Sequence, residues 1–253
     1  DFDRSFWTNC QIDFLGHLIL PPLATETTNP TANAAVVLVE YNNVMYACFG
    51  TAVYYWDNAD STWKTMSHTL LGTPTDALVH RGKLYIACGT DFERYDGAAW
   101  TTGAALSTAA KATRYLLEWD SKLLIVSDAG ALLYSTNEGA NWTASAASVL
   151  AAGSFTSLFL YRNPSGTVLP HMGTKASRVY ILDFANAKWI ETEMAFPEHP
   201  YGCLGATAWR DAAYIPAGMG IYQYQTSSDP AVVRPMGLDR DYGMSSTHQG
   251  NII

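Results

Sequence analysis

The chain has 253 residues, of which 48% are hydrophobic and 15% are charged. This composition excludes a disordered chain, and the abundance of aromatic residues, Thr and Val favours sheet over helix. The net charge of −8 comes without a cluster of Lys or Arg, so we expect no nucleic-acid partner. The sequence shows no run of 18 apolar residues and no signal peptide, so we expect no membrane span.

The first predicted element is a hairpin at residues 10–20, which ends at Pro21-Pro22 because proline cannot donate to a strand ladder. Hairpins of the same kind follow at 37–47, 77–87, 115–126 and 206–216. Each has two turn residues between apolar runs, namely Asn-Asn, Arg-Gly, Asp-Ser and Arg-Asp. Residues of these types are favoured in tight turns, so the pattern predicts a series of two-stranded units.

A second hairpin follows most of these units, and it carries a Trp after a turn rich in Asp, Asn and Gly. The four copies of this Trp are Trp63, Trp100, Trp142 and Trp189. We expect each indole to begin an outgoing strand and to pack on the next sheet. The unit at 202–236 lacks the Trp.

Two hairpins in each repeat of about 40 residues predict an all-β fold, a β-propeller with four-stranded antiparallel blades. We place blades at 34–70, 75–106, 113–149, 154–197 and 202–236, within one domain that covers residues 1–253. Residues 1–33 and 237–253 then contribute to a closing blade or belong to a longer chain. Six blades fit best, and five or seven stay open. Helix content should be near nil.

No metal site or cofactor is predicted. The four cysteines contain no CxxC spacing, and the six histidines contain no HxH, HxxxH or HExxH spacing. Cys48 and Cys88 occupy equivalent places in two repeats, where a small buried residue of a strand is expected.

The segment from Ser135 to Trp142 resembles the Asp box, Ser-x-Asp-x-Gly-x-x-Trp, of sialidases and other propellers with BNR repeats. The matching positions are Ser135, Asn137, Gly139 and Trp142, and Asn137 stands where the family has Asp. In that family the Asp box is a structural turn, so the resemblance implies a fold and not an activity. Tyr161-Arg162-Asn163-Pro164 resembles the Tyr/Phe-Arg-Ile-Pro motif of sialidases, but it lies too late in the chain.

Two further segments resemble propeller modules of bacteriophage tail and virion-surface proteins. They are the blade pattern at 84–100 and the connection at 237–253. The resemblance implies a surface-exposed component, extracellular or on a virion, within a larger assembly.

A residue with a ring side chain stands just before the turn of each first hairpin. Five of these six residues are aromatic and one is His. The residues are Phe14, Tyr41, His80, Trp119, Tyr161 and Trp209. Such a circle could stack on sugar faces or anchor a protein partner, or it could pack between blades. The neighbouring Arg81, Arg162 and Arg210 would give the same face a polar character.

These patterns favour a non-enzymatic propeller that binds a glycan or a protein. A sialidase-like glycoside hydrolase or lyase is one alternative, and it requires two carboxyl groups close together in a pocket. A purely structural module of a larger assembly is the other alternative. No catalytic residue can be assigned from the sequence.

Overall fold

A computed structural model of the chain describes residues 11–12, 18–19, 30–31, 35–106, 111–146, 150–151, 153–162, 166–199, 201–209, 212–217, 220–225 and 232–236. Two short strands, β1 (Gln11–Ile12) and β2 (Leu18–Ile19), pair as an antiparallel hairpin within the predicted segment 10–20.

Five four-stranded antiparallel sheets follow, and in each the strands lie side by side in chain order. The first sheet contains β3 (Ala35–Tyr41), β4 (Val44–Phe49), β5 (Ala52–Asp57) and β6 (Thr62–Thr69). The second contains β7 (Asp76–His80), β8 (Lys83–Ala87), β9 (Phe92–Tyr95) and β10 (Trp100–Thr102). The third contains β11 (Tyr115–Trp119), β12 (Lys122–Val126), β13 (Leu132–Ser135) and β14 (Thr143–Ala146).

The fourth sheet contains β15 (Phe155–Arg162), β16 (Val168–Thr174), β17 (Arg178–Asp183) and β18 (Lys188–Ala195). The fifth contains β19 (Thr207–Trp209), β20 (Ala212–Ala217), β21 (Gly220–Gln225) and β22 (Val232–Met236). A short helix, α1 (Gly103–Leu106), follows β10. Within the described residues, no helix has the length and apolar character needed to cross a bilayer.

Tight turns join the first two strands of the first three sheets, as the residue types predict. Both turn residues have positive φ in Asn42-Asn43 (51° and 60°), Arg81-Gly82 (49° and 70°) and Asp120-Ser121 (49° and 59°). Two successive positive φ angles define the type I′ turn, whose twist matches that of the flanking strands.

The second strand of a sheet is buried on both faces, which explains the continuous apolar runs in the sequence. In β8, Leu84 and Ile86 pack in a cluster with the first sheet, while Tyr85 and Ala87 pack in a cluster with the third. In β12, Leu123 and Ile125 face the second sheet, whereas Leu124 and Val126 face the fourth. A further cluster joins the fourth sheet to the fifth, so each sheet packs face to face on its neighbours.

The first strands of consecutive sheets contact one another, from β3 to β7, β11, β15 and β19. They therefore form the inner row of the molecule, as in a propeller. The inner row has two ends, which we name by the direction of the first strands. The turn face is the end where each first strand turns into the second strand, and the entry face is the opposite end, where each first strand begins.

Three of the four recurring tryptophans pack on the preceding sheet, so our expectation that they pack on the next sheet is wrong, while Trp63 contacts Phe49 and Trp56 of its own sheet. Trp100 stacks on His68 of the first sheet, with ring centroids 4.3 Å apart, and Trp142 contacts Phe92 of the second at 5.4 Å. Nε1 of Trp189 donates to the carbonyl of Gly130, beside the third sheet, over 2.7 Å. Register explains the direction: Trp100 pairs with Tyr95, and both side chains join the cluster that faces the first sheet.

The predicted all-β class and the four-stranded antiparallel blades are confirmed, with five such blades described. Contributions of 1–33 and 237–253 to a further blade fall mainly outside the described residues, β1 and β2 excepted, and stay a prediction.

Candidate functional site

The structure brings the predicted corner residues to one end of the molecule, the turn face. Tyr41, His80, Trp119 and Trp209 are each the last residue of a first strand. Tyr161 is the last but one, because β15 continues to Arg162, which pairs with Val168. Phe14 and Arg210 lie outside the described residues.

Burial separates these corner rings into two groups. Tyr41, His80 and Tyr161 are 2%, 1% and 2% exposed, whereas Trp209 is 58% exposed and Trp119 is half-buried. A buried ring offers no face to a ligand, so Tyr41, His80 and Tyr161 are packing residues in this conformation. The binding role that the sequence predicted stays a prediction, and it concerns Trp119 and Trp209.

Three residues of the turn face tie one sheet to the following one. Tyr41 Oη donates to the carbonyl of Gly82 over 3.1 Å, and Trp119 Nε1 donates to that of Val168 over 2.8 Å. The guanidinium of Arg81 donates to the carbonyls of Ser121 and Thr136, each over 3.1 Å. These contacts give Tyr41, Arg81 and Trp119 a structural role between blades.

Arg162 has a partner in its own loop, and His80 lies close to a carboxylate of the next sheet. Nη1 of Arg162 donates to the carbonyl of Gly166 over 3.1 Å, within the loop that follows β15. Nδ1 of His80 lies 3.1 Å from Oε2 of Glu118 in the third sheet.

The turn at Ser135–Trp142 is held by its own side chains and by the second sheet. Oγ of Ser135 accepts hydrogen bonds from the amides of Asn137 (3.2 Å) and Gly139 (2.9 Å). Oδ1 of Asn137 accepts from Ser135 Oγ (3.0 Å) and from the amide of Asn141 (2.9 Å). Glu138 pairs with Lys83. The four residues that resemble an Asp box thus form a structural turn between two blades.

A cleft of about 320 Å³ opens on the entry face, where the third, fourth and fifth sheets meet. We call it the entry cleft; its lining residues are Arg114, Tyr115, Asp128, Gly153, Phe155, Thr156, Lys175, Tyr201 and Leu204. It lies at the opposite end of the molecule from the predicted corner.

The first residues of β11 and β15 supply aromatic rings to the cleft. The rings of Tyr115 and Phe155 are 4.5 Å apart, and Phe155 is 3% exposed. Burial raises the pKa of the Tyr115 phenol, so this group stays neutral and can donate a hydrogen bond. Oγ1 of the buried Thr156 donates to the carbonyl of Gly202 over 2.8 Å, which holds the loop before the fifth sheet.

Arg114 stands on a backbone that is fixed on both sides. Its amide donates to the carbonyl of Val126 over 2.9 Å, and its carbonyl accepts from Thr75 Oγ1 over 2.7 Å. The guanidinium lies 5.8 Å from the centroid of the Tyr115 ring, within the range of a cation–π contact.

Lys175, from the turn that follows β16, lines the same cleft as Arg114. Its amide donates to the carbonyl of Ser154 over 2.9 Å. Gly153 has a φ of +75°, and a Cβ there would lie 3.9 Å from Lys175 Nζ. A backbone that L residues rarely adopt therefore lies beside the ammonium group.

Tyr201 is 48% exposed, which is high for a large ring beside a cleft. Its amide donates to His199 Nδ1 over 3.2 Å, and its carbonyl accepts from the amide of Leu204 over 3.1 Å. The backbone of Tyr201 is thus held by hydrogen bonds on both sides, and its ring is available to a partner.

Sequence reasoning missed Arg114, Lys175 and Tyr201. They lie in three different connections and follow no common spacing, so the repeat does not align them. The available signal was positional: Arg114 directly precedes a first strand, and Lys175 directly follows a second strand, at the same end of the blades. No cluster of three or more His, Cys, Asp or Glu side chains with metal-binding geometry occurs in the part of the chain that the structure describes.

The family model of the DUF6242 beta propeller domain matches residues 22–198 of the chain. No curated protein matches the chain.

Solved propeller structures are similar in fold. YCF48 from Cyanidioschyzon merolae is 11% identical with a TM-score of 0.59, and the alignment covers 89% of this chain and 76% of that chain. YCF48 bound to D1 peptide is 14% identical with a TM-score of 0.56, over 77% of this chain and 66% of that chain. PorZ, a surface component of the type-IX secretion system of Porphyromonas gingivalis, is 15% identical with a TM-score of 0.54, over 90% of this chain. The chain spans 29% of the length of PorZ.

Proposed function

Because the chain belongs to the family of the DUF6242 beta propeller domain, we propose that it is a non-enzymatic module that binds a protein partner at the entry cleft. The observation that carries this proposal is the composition of the cleft. Exposed Tyr201 lies beside two cationic side chains, Arg114 and Lys175, in a concave site of about 320 Å³. Tyr and Arg are the residue types that most often anchor a partner protein.

The similar structures are consistent with a protein partner but do not identify it. One similar structure is, by its title, YCF48 bound to D1 peptide, so a propeller of this shape can hold a peptide. PorZ is, by its title, a bacterial surface component, and we extend the proposal to a surface-exposed or virion location. The Asp-box character of the 135–142 turn and the likeness to bacteriophage propellers belong to the same proposal.

A glycan is the second candidate ligand, because the exposed face of the Tyr201 ring can stack on a sugar. Hydrolysis is less well supported. The cleft lining contributes one carboxylate, Asp128, whereas glycoside hydrolases of the general type use two.

The test uses the full chain, immobilised, with a pool of random peptides and, in parallel, a glycan array. We expect the wild type to retain peptides, and we expect Tyr201→Ala to lose most of this retention. Trp209→Ala is the matched control, since Trp209 is an exposed ring on the turn face, 58% exposed against 48% for Tyr201. Retention that survives Tyr201→Ala but is lost in Trp209→Ala would move the site to the turn face. Binding to glycans alone would replace the protein partner.

A further inference from the structure

The charges of the entry cleft specify what kind of group the partner must present. Resting on the proposed function, we infer that the cleft holds a carboxylate of the partner protein, either an Asp or Glu side chain or a C-terminal carboxylate. The two cations and their backbone supports carry this inference, while Asp128 limits it to a single acid.

The balance of charge in the cleft is opposite to that of the whole chain. Arg114 and Lys175 stand against Asp128 in the lining, whereas the chain as a whole carries a net charge of −8. The net charge of the chain therefore disfavours an acidic ligand, whereas the charge of the cleft lining favours it. Complementarity of this kind contributes to specificity and to the rate of association more than to affinity.

Within the described parts of the chain, the two cations are not neutralised by an ion pair, although Arg114 also contacts Tyr115 and acts electrostatically on the carboxylate of Asp76. Both backbones are nevertheless held, Arg114 between the second and third sheets and Lys175 by Ser154. A guanidinium can bind a carboxylate through two parallel hydrogen bonds, and an ammonium adds a third donor from another direction.

The neighbouring groups explain why a carboxylate suits the cleft better than a phosphate. Asp128 lies in the same lining and would repel a second negative charge more strongly than a single one. The phenol of Tyr115, which stays neutral because burial raises its pKa, can donate a hydrogen bond to a carboxylate oxygen. Within the lining itself, one carboxylate therefore balances the surplus of one positive charge; Asp76, which also interacts with Arg114, is not a lining residue.

Three pools of hexapeptides, with C-termini that are either amidated or free, test the inference on the immobilised full chain. The first is amidated and contains Asp and Glu, the second has free C-termini but lacks Asp and Glu, and the third is amidated and lacks both acids. We expect retention from the first or the second pool and at least tenfold less from the third. The pool that is retained identifies the source of the carboxylate.

Lys175→Gln should lower this acid-dependent retention about tenfold, and Lys175→Arg should restore it, because the arginine keeps the charge. Retention should also weaken as salt rises from 50 to 500 mM. Equal retention of the third pool, or retention indifferent to Lys175→Gln, overturns the carboxylate and leaves the binding function in place. Lack of retention from all three pools overturns the binding function itself.

Discussion

The imidazole of His171, on β16, is enclosed by aromatic rings. Its centroid lies 5.7 Å from that of Phe159 and 5.5 Å from that of Tyr161, and the residue is 2% exposed. Nδ1 donates to the carbonyl of Leu169 over 2.9 Å, which selects the tautomer. Burial lowers the pKa of His171 from 6.5 to about 4, because the enclosure disfavours the charged ring.

The folded state is therefore expected to lose stability as the pH falls. The unfolded chain takes up a proton on His171 near pH 6.5 and the folded chain only near pH 4, so the loss develops between these values. The full loss amounts to about 3 kcal/mol at 1.36 kcal/mol per pKa unit, and about 2.4 kcal/mol of it develops between pH 7.0 and pH 4.5. Urea unfolding at pH 7.0 and 4.5 measures it, and His171→Gln should reduce the difference between the two pH values. An unchanged difference in the variant would contradict this account.

Asp76, the first residue of β7, has the opposite effect in the same pH range. Its carboxylate accepts from the amides of Leu116 (2.8 Å) and Ala77 (2.9 Å), which ties the second sheet to the third. Burial nevertheless raises the pKa of Asp76 to about 6, since desolvation outweighs these hydrogen bonds and the charge of Arg114. The folded state binds this proton more tightly than the unfolded state, so the stabilisation is present below pH 3.8 and is lost as the pH rises through 6.

We therefore expect Asp76→Asn to make the protein relatively more stable at pH 7.0 than at pH 4.5, by about 2 kcal/mol compared with the wild type, because titration is incomplete at pH 4.5. The same pair of urea unfolding experiments measures this change. The substitution also removes one acceptor, so a uniform loss of stability at both pH values is expected beside it. Only the difference between the free energies of unfolding at the two pH values depends on the pKa of Asp76. A variant whose difference equals that of the wild type would show that the carboxyl titrates normally.

At the level of elements, the 135–142 turn shows why Asn137 can stand in a place where the similar motif has Asp. The turn needs an acceptor oxygen for Ser135 Oγ and for the amide of Asn141, and an amide oxygen serves both. The negative charge of an Asp is not required, because the adjacent Glu138 already pairs with Lys83 of the second sheet.

Asn137→Asp should therefore keep the stability within about 0.5 kcal/mol, whereas Asn137→Ala should cost about 1–2 kcal/mol through the lost acceptor. For a chain of this size the second change lowers Tm by about 4 °C. Differential scanning calorimetry distinguishes the two outcomes. Thr136→Ala is the control, since the carbonyl of Thr136, which accepts from Arg81, is kept and its side chain is exposed. If Asn137→Ala has the same Tm as this control, Oδ1 of Asn137 does not stabilise the turn.

Much of the element level could be predicted from the sequence, because it depends on local chemistry. The turns at Asn42-Asn43, Arg81-Gly82 and Asp120-Ser121 follow from residue type, and the apolar runs of β8 and β12 follow from burial on both faces. The direction in which Trp100 packs could not be predicted, since it depends on register with Tyr95. Nor could the burial of Tyr41, His80 and Tyr161, which depends on the neighbouring sheets.

For the whole molecule, the order of contacts leaves a closing blade as a prediction. Core clusters join each described sheet to the next, from the first to the fifth. On the first sheet, Val36 and Leu38 remain 50% and 56% exposed. An apolar sheet face of this kind is expected to require cover.

Deletion of residues 1–33 should therefore lower Tm by several degrees and increase binding of a dye that reports exposed apolar surface, since β1 and β2 would be lost. Deletion of residues 1–9 alone is the control, because it spares this hairpin. Calorimetry and dye fluorescence provide the two measurements. Equal melting temperatures for the two deletions would argue against a closing role for the hairpin.

The entry cleft is the part of the molecule that the sequence could least predict. Arg114, Lys175 and Tyr201 belong to three connections, and only the stacking of three sheets places them in one lining. The repeat pointed to the opposite end, because recurrence identifies what every blade needs for its own structure. A binding site is asymmetric, so it lies where blades differ.

The hydrogen bonds between blades on the turn face also affect how the sequence of such a chain can diverge during evolution. In each tie the donor is a side chain, the phenol of Tyr41, the guanidinium of Arg81 or the indole of Trp119, and the acceptor is a backbone carbonyl of the following blade. Substitution can exchange one donor for another, but it cannot delete a carbonyl. If a blade is duplicated in tandem, the backbone carbonyl that accepts this hydrogen bond is therefore already present in the copy. The contact between consecutive blades can then persist while the surrounding residues diverge.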